Sequence, residues 1–246
     1  MASLIKLRQD IQFNKDLAVL LDVLKSIATQ QFQVLERSFR SNTRLFDAIQ
    51  ITAAMLDLEH YSHPLTQSGG RVGVIAVTSD TGLLGGLNNQ VVGGALQEFS
   101  QNPGECIVIG KRGAVTLGEY GVPCREYPGI QDSARRQLAS QVRDYAFQQV
   151  SSGRLGALAI VYPRALSFTV QRVELVRAVP CQKWLLTGTA APRGGTIVLE
   201  SPRAKLLEYL VWLWLGEKLY EVFGLARMAE LAARSVHLDG STQELR

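Results

Sequence analysis

The first sixty residues carry apolar side chains at alternating spacings of three and four residues. No Gly or Pro interrupts the chain before Pro64, and only Asn14, Lys25 and Asn42 break the apolar series. This spacing, held over about seven heptads, is typical of a left-handed coiled coil rather than of an ordinary core helix. The pattern predicts one long helix over residues 3–60 whose seam packs on a partner. The apolar seam positions are Leu4, Leu7, Ile11, Ala18, Leu21, Ala28, Phe32, Leu35, Phe39, Phe46, Ile49, Ala53 and Leu56.

A second long helical pattern lies at the other end of the chain. Ser201 offers an N-cap, Pro202 suits the first helical position, and the pattern continues to Arg246. The side chains of its seam change from bulky to small, and small side chains let a partner backbone come close. We therefore expect a tight antiparallel pair with the N-terminal helix; the alternative is two helices that each cover a conventional core. The seam positions are Trp212, Leu215, Leu219, Val222, Ala226, Ala229, Ala233 and Val236.

Composition excludes several classes of protein. The chain has 246 residues, 46% of them hydrophobic, and a net charge of +4 without a run of five basic residues, so nucleic-acid binding has no special support. The longest apolar stretch, residues 206–215, is too short to span a bilayer, and no signal or transit peptide is legible. These features predict a cytoplasmic chain. The cysteines are odd in number and form no CxxC motif, so neither a disulfide framework nor a zinc site is predicted: Cys106, Cys124 and Cys181.

Between the two helices, the apolar pattern becomes that of strands. Three nearly continuous apolar runs predict strands buried on both faces, and a fourth, alternating segment fits an edge or antiparallel strand. The sequence predicts one helix after the Gly-rich turn that follows the first strand, a second from the turn at Gly110 to about Tyr120, and a third from Asp132 to Val150. Residues Lys183 to Gly195 are predicted to be a loop. This order predicts a small parallel sheet with right-handed crossovers. The strand segments are Arg71–Thr78, Glu105–Ile109, Leu155–Tyr162 and Leu166–Val179.

Together these patterns predict one architecture. We expect an α/β fold in which a long antiparallel coiled coil of the N- and C-terminal helices carries an inserted Rossmann-like α/β domain. The predicted boundaries are residues 1–63 for the N-terminal helix, 70–199 for the Rossmann-like domain and 201–246 for the C-terminal helix.

The Gly-rich segment TSDTGLLGGLN, residues 78–88, follows a predicted buried strand, which is where α/β folds place phosphates. Its glycines give neither GxGxxG nor GxxxxGK[ST], and the nearest lysine, Lys111, lies in another loop. We therefore favour a structural turn or a partner surface over a nucleotide site. The basic turn GKRG at residues 110–113 is a weak candidate for an anion site.

The histidines do not predict a catalytic or metal site. His60 and His63 stand three residues apart at a helix end with no third ligand near, so we expect them to be solvated. His237 stands alone, and no Ser/His/Asp or Cys/His grouping is legible. We accordingly predict no catalytic, cofactor-binding or metal-binding residues.

The sequence also resembles a known family along essentially its whole length. The opening MASLIKLRQDI, the segment TSDTGLLGGLN and the turn VIGKRG are similar to motifs of the gamma subunit of F-type ATP synthases, in which the second motif reads TSDRGLCGGLN. The segment AELAARSVHLDGSTQEL resembles the family signature SEHAARMVAMDNAT. The residues that match this signature are Glu230, Ala232, Ala233, Arg234, Val236, Asp239 and Thr242.

The chain departs from the family pattern in two regions. Val19 and Asp22 stand where the family usually has lysines, and Thr81 and Leu84 replace Arg and Cys in the Gly-rich segment. The chain also stops soon after Thr242, where the family typically continues in a helix. We expect either a divergent, short gamma-like subunit of an alternative ATPase or a truncated sequence.

The resemblance implies the central stalk of a proton- or sodium-translocating F-type ATP synthase or ATPase. Such a subunit is not an enzyme by itself and needs no cofactor. The implied partners are the alpha and beta subunits of the catalytic head, the epsilon subunit and the c-ring. The implied location is peripheral, on the cytoplasmic face of the cell membrane.

Two other functions remain open from the sequence. The first is a gamma-like coiled-coil scaffold or regulator without a rotary role, and the second is a nucleotide-dependent enzyme that uses the turn at residues 82–86. The seam of the C-terminal helix ends in small residues, which bury little area of the N-terminal helix. We therefore also expect the turns from Leu4 to Ile11 to expose an apolar patch, and we expect these turns to become ordered inside a ring of partner subunits.

Overall fold

The computed structural model describes residues 2–39, 41–56, 61–67, 69–185 and 199–245. Helices and strands alternate between two long terminal helices. The helices are α1 Ala2–Ser38, α2 Thr43–Met55, α3 Leu87–Phe99, α4 Lys111–Glu119, α5 Arg135–Ser151, α6 Gln182–Leu185 and α7 Arg203–Leu245. The strands are β1 Val72–Val77, β2 Pro103–Ile109, β3 Cys124–Tyr127, β4 Ala157–Ala165 and β5 Gln171–Val179.

Helices α1 and α7 pack against each other in antiparallel directions, as the sequence predicts. Lys25 Nζ lies 2.5 Å from Asp239 Oδ1, and one turn further along α1 Thr29 Oγ1 lies 2.9 Å from Ser235 Oγ. Still further along, Phe32 joins a buried cluster with residues 231–232 of α7. Residue numbers therefore rise along α1 as they fall along its partner.

The prediction of one continuous N-terminal helix is wrong between residues 39 and 42. Helix α1 ends at Ser38 and α2 begins at Thr43. Ser41 Oγ donates to Glu221 of α7 at 2.5 Å, and Asn42 Nδ2 donates weakly to the neighbouring Glu217 at 3.5 Å. Because Ser and Asn side chains compete with the helical hydrogen-bond ladder, partners on α7 stabilise a break at this point.

The apolar seam continues across this break, but its side chains are not buried near the N-terminus. From Ala18 onward most predicted seam positions are buried or half-buried, and those of α2 face α7 and the sheet. Before Ala18 the seam residues are exposed. The fully buried seam residues are Ala18, Ala28, Phe32, Leu35, Ile49, Ala53 and Leu56.

Helix α7 begins one residue later than predicted. The carbonyl of Pro202 accepts the N–H of Leu206 at 3.2 Å, so Pro202 and not Ser201 occupies the N-cap position. Most of the predicted seam is buried, but two positions differ. Trp212 is half-buried and lies under the guanidinium of Arg143 of α5, and Val236 is exposed.

The sheet has the order β3-β2-β1-β4-β5. Its first four strands are parallel and β5 is antiparallel to β4 at one edge, as predicted. The sequence did not predict β3, which has four residues and no buried side chain. One face of the sheet packs with α2, α5 and α7 in the large core, and α3 and α4 cover the other face.

Two smaller predictions also need correction. Asp132 is not the N-cap of the fifth helix, because α5 begins at Arg135 after Ala134; the Asp132 carboxylate lies 4.0 Å from Arg227 Nε instead. The predicted loop at 183–195 begins within the short helix α6, and its remainder, residues 186–195, lies outside the described residues. Across the described ranges, no helix combines the length and apolarity needed to cross a membrane.

Candidate functional site: the joint between the glycine-rich loop and the C-terminal helix

The Gly-rich loop, residues 78–88, leaves the carboxyl end of β1 and is fixed at both ends by buried or partly buried hydrogen bonds. Thr78 Oγ1 donates to the carbonyl of Ile109 at 2.6 Å and accepts the N–H of Gly113 at 3.1 Å. Ser79 N–H donates to Asn88 Oδ1 at 3.2 Å, and Asn88 Nδ2 donates to Ser79 Oγ at 3.0 Å. The loop is therefore tied to the next strand, to α4 and to its own following helix.

The basic turn at residues 110–113 is occupied by a carboxylate of the protein itself. Asp80 accepts the N–H of Lys111 at 2.9 Å and the N–H of Gly129 at 3.0 Å. Gly110 has φ +95, and a Cβ there would lie 2.7 Å from the backbone of Ser79. The anion predicted for this turn is thus the Asp80 side chain, placed at the N-terminus of α4 where a negative charge is stabilised.

The outer part of the loop packs on α7. Leu84 and Leu87 are buried in one cluster with Ala229 and Ala233. Alanine leaves room for the loop to approach the helix backbone, so the small residues of the α7 seam serve the loop as well as the helix pair. About 10 Å³ remains between the loop and α7, which is too small for a phosphate group. This packing favours the structural interpretation of the loop over the nucleotide site.

A buried ionic cluster holds the same surface of α7. The side chain of Glu230 is 10% exposed and lies between two arginines, with Oε2 2.8 Å from Arg227 Nη1 and Oε1 2.6 Å from Arg234 Nη2. Arg234 Nη2 also donates to Thr81 Oγ1 of the loop at 2.5 Å. We call these residues, with the loop, the joint. Through it, the helix pair contacts the carboxyl end of the sheet.

The seam between α1 and α7 contains a polar layer beyond the joint. Lys25 pairs with Asp239, and Thr29 lies within hydrogen-bonding distance of Ser235. A polar pair in an apolar seam favours one register, because a shifted register would separate the charges. Sequence reasoning treated Lys25 as an interruption of the seam, and the opposite charge at Asp239 was the signal that could have paired them.

The histidines lie away from the joint. His63 Nδ1 accepts the N–H of Leu65 at 3.2 Å, and its Nε2 lies 3.7 Å from Glu208, so this side chain is half-buried and not solvated as predicted. His237 is exposed, and His60 lies outside the described residues. The described part of the chain contains no group of three or more His, Cys, Asp or Glu side chains that could hold a metal ion.

Comparison with known proteins identifies the family to which this chain belongs. The sequence matches the model of the ATP synthase family over residues 3–246. It is also 23% identical to the ATP synthase gamma chain of Clostridium pasteurianum, in a match that covers 98% of this chain and 86% of that protein. The chain belongs to the ATP synthase gamma-chain family.

Other members and structures of the family agree. The ATP synthase gamma chain of Pelotomaculum thermopropionicum is 24% identical over 187 residues, which cover 74% of this chain and 65% of that protein, just under two thirds of its length. The fold is similar to a chain in the rotor of the Euglena gracilis mitochondrial ATP synthase, with a TM-score of 0.68 and 14% identity, over 100% of this chain and 93% of that one.

The joint contains several of the residues on which the family resemblance rests. The signature residues Glu230, Ala233 and Arg234 face the loop, and Thr81, which replaces a family arginine, accepts a hydrogen bond from Arg234. The sequence identified these residues as a match to a family but gave them no role. Their role depends on packing between segments 153 residues apart, which no local pattern reveals.

Proposed function

We propose that this chain is the central-stalk subunit of a proton- or sodium-translocating F-type ATP synthase or ATPase, acting as a rotor shaft and catalysing nothing itself. One observation carries the proposal. The N-terminal tip of α1, which we define as residues 2–14, presents apolar side chains to the solvent on several sides. Five of them are between 47% and 66% exposed: Leu4, Ile5, Leu7, Ile11 and Phe13.

These side chains surround the helix axis. At about 100° per residue, Ile5 and Phe13 lie about 160° and 120° from Leu7. Charged side chains such as Arg8 and Asp10 lie between them, and exposed apolar patches of this kind mark interaction sites. A ring of catalytic alpha and beta subunits would enclose the tip on every side. Apolar contacts lack directional bonds, so they would let the shaft turn within the ring.

Coupling follows from the asymmetry of the helix pair. Different side chains face each surrounding subunit at each angle, and the shaft therefore binds the conformations of these subunits with different affinities. A shaft that binds one state more tightly shifts the nucleotide affinity of that subunit, as any ligand with differential affinity does. The joint would transmit torque between the helix pair and the α/β body, because Arg234, which pairs with Glu230, contacts Thr81 in the loop that leaves the sheet.

The remaining assignments follow from this role. We propose that α1 and α7 supercoil as a left-handed coiled coil. Residues 1–63, with the break between α1 and α2, would act as the N-terminal helical segment, residues 70–199 as the Rossmann-like domain and residues 201–246 as the C-terminal helix. The end of the molecule opposite the tip would join the epsilon subunit and the c-ring. The chain would then lie peripherally at the cytoplasmic face of the cell membrane.

Co-expression with the alpha and beta subunits of the same organism tests the proposal. We expect about one copy of this chain per three beta subunits, and ATP hydrolysis by the purified assembly. The double variant Leu7→Asp, Ile11→Asp should reduce co-purification about tenfold or more, because it places charges inside the ring. Val115→Asp, which changes an equally exposed apolar residue on α4, serves as the control.

Two results would contradict the proposal. Assemblies with no fixed ratio to the beta subunit, or retention of the double variant at the wild-type level, would favour the non-rotary scaffold or regulator.

A further inference from the structure

A polar cleft of about 570 Å³ lies at the amino ends of β1, β2 and β4. Helix α5 forms one wall. This helix runs antiparallel to α7, since Asp132 lies near Arg227 at one end and Trp212 Nε1 donates to Asp144 at the other. The C-terminal residues of α5 therefore lie level with the start of α7. The tip of α1 lies at the other end, where Leu245 is its neighbour, so about 50 Å of helix separates the tip from the cleft.

Glycines let the segments of the cleft rim approach each other closely. A Cβ at Gly104 would meet the Arg71 Cβ at 2.9 Å and the Val72 carbonyl oxygen at 2.6 Å, so any larger residue would push the rim of the cleft apart. Gly153 has φ +74, which lets the chain turn sharply after α5 into the opposite rim.

The rim of the cleft carries excess positive charge. Arg71 and Arg154 are exposed on it, and the guanidinium of Arg125 lies 3.9 Å from the centre of the Tyr145 ring. Among the described residues, Arg71 has no ion-pair or hydrogen-bond partner for its side chain. Of the described residues that line the cleft, Glu105 is the one with a carboxylate. The charges of the rim therefore leave at least one guanidinium without a counterion.

The single carboxylate is already bound within the protein. Glu105 accepts a hydrogen bond from the phenol O–H of Tyr145. Burial, and secondly this hydrogen bond, raises the pKa of Tyr145, so the phenol stays a neutral donor. Gln149 is 5% exposed, and its Oε1 accepts a long hydrogen bond of 3.4 Å from Arg154. A buried amide and an oriented phenol therefore form a polar floor, and the guanidinium groups of Arg71 and Arg154 form a basic rim.

We propose that this cleft receives a carboxylate side chain or chain terminus of a partner subunit at the membrane-facing end of the stalk. The assignment rests on the proposed function, which places partners at this end. Guanidinium groups bind carboxylates through paired, charge-assisted hydrogen bonds. Arg71 and Arg154 would hold the carboxylate between the two rims, and Gln149 would present its amide from the floor. A carboxylate on a partner polypeptide would also supply the counterion that the rim lacks.

The test uses the full chain in a complete catalytic head, added to membrane vesicles that contain the c-ring and the epsilon subunit but have been stripped of their own heads. Sedimentation measures attachment at low and moderate salt. The double variant Arg71→Glu, Arg154→Glu should weaken attachment about tenfold or more, because reversed charges repel the partner carboxylate. Arg44→Glu, which reverses an exposed arginine on α2, should attach like the wild type.

Each outcome has a distinct meaning. Attachment of the double variant at the wild-type level, with its thermal unfolding and head ATPase unchanged, overturns the cleft proposal and leaves the proposed function standing. A wild-type head that does not attach overturns both. Calorimetric titration of the wild type with inorganic phosphate should give no saturable binding. The proposal would be overturned if the wild type bound phosphate at micromolar concentration and the double variant lost this binding but still attached to the vesicles. The cleft would then be a site for free anions.

Discussion

Replacing Glu230 by Gln tests whether the ionic cluster of the joint stabilises the fold. The substitution keeps the shape of the side chain and removes its charge. In the folded chain this carboxylate is nearly buried and accepts hydrogen bonds from Arg227 at 2.8 Å and from Arg234 at 2.6 Å. Glutamine keeps one acceptor oxygen and brings two N–H donors that face arginine donors. We therefore expect Glu230→Gln to destabilise the fold and to loosen the contact of the loop with α7.

The magnitude follows from the two bonds and their exposure. A hydrogen bond to a charged group contributes about 1.5–3 kcal/mol, so two such bonds contribute about 3–6 kcal/mol in gross terms. The neutral amide recovers part of one bond, and the two arginines are each 18% exposed, so water solvates them partly once the carboxylate is neutralised. We expect a net loss of about 2–4 kcal/mol.

Chemical denaturation of Glu230→Gln, with a matched control, measures this loss. Glu208→Gln removes a carboxylate that is 27% exposed and pairs with Lys205 three residues away, and it should cost about 0–1 kcal/mol. A double-mutant cycle with Arg234→Gln should give a coupling of about 1–3 kcal/mol. The reasoning fails if Glu230→Gln costs no more than Glu208→Gln, or if the two sites of the cycle behave additively.

Three further predictions concern other parts of the chain. Lys25→Asp places two carboxylates in the seam and should lower the free energy of unfolding by about 1 kcal/mol. Adding Asp239→Lys should restore the lost stability in thermal unfolding, and a double variant that stays destabilised would exclude a direct pair. Gly110→Ala should cost about 1–3 kcal/mol through its left-handed backbone and close contacts, whereas Gly118→Ala, with open space in α4, should be neutral or stabilising. Burial is the main cause that raises the pKa of Cys106 from 9.0 to about 12. The free energy of unfolding should therefore fall above pH 9 by about 1.4 kcal/mol per pH unit, and Cys106→Ala should remove this contribution to the pH dependence.

The sign for Cys106 follows from proton linkage. Above pH 9 the thiol of the unfolded chain loses its proton, while the buried thiol of the folded chain keeps it until about pH 12. Ionisation therefore stabilises the unfolded chain alone. The contribution is fully present below pH 9 and is lost between pH 9 and about pH 12. Equal slopes in the wild type and Cys106→Ala would contradict the assignment.

Patterns that repeat along the chain were predicted well. The 3,4 spacing of the N-terminal seam reflects the helical period, and its positions from Ala18 to Leu56 do face a partner or the core. The continuous apolar runs predicted β1, β2 and β4 for a similar reason, since a strand covered on both faces needs apolar side chains at every position.

Features that depend on distant partners were missed. The break at residues 39–42 needs Glu217 and Glu221 of α7, and the local sequence alone does not exclude a continuing helix. Strand β3 is too short and too exposed to give a periodic signal. The joint depends on Arg234 reaching Thr81, and the identity of that partner is set by the fold. Such contacts become visible only when the sheet has placed the loop beside the helix.

Hydrogen exchange of the α1 tip, alone and assembled, tests the central claim most directly. In the free chain we expect rapid exchange before about Ala18, because the apolar side chains of these turns are about half or more exposed. Assembly with the alpha and beta subunits should protect residues 2–14, while protection around Ile75 in the sheet stays unchanged. Full protection of the tip in the free chain, or no gain of protection on assembly, would contradict a shaft enclosed by a ring.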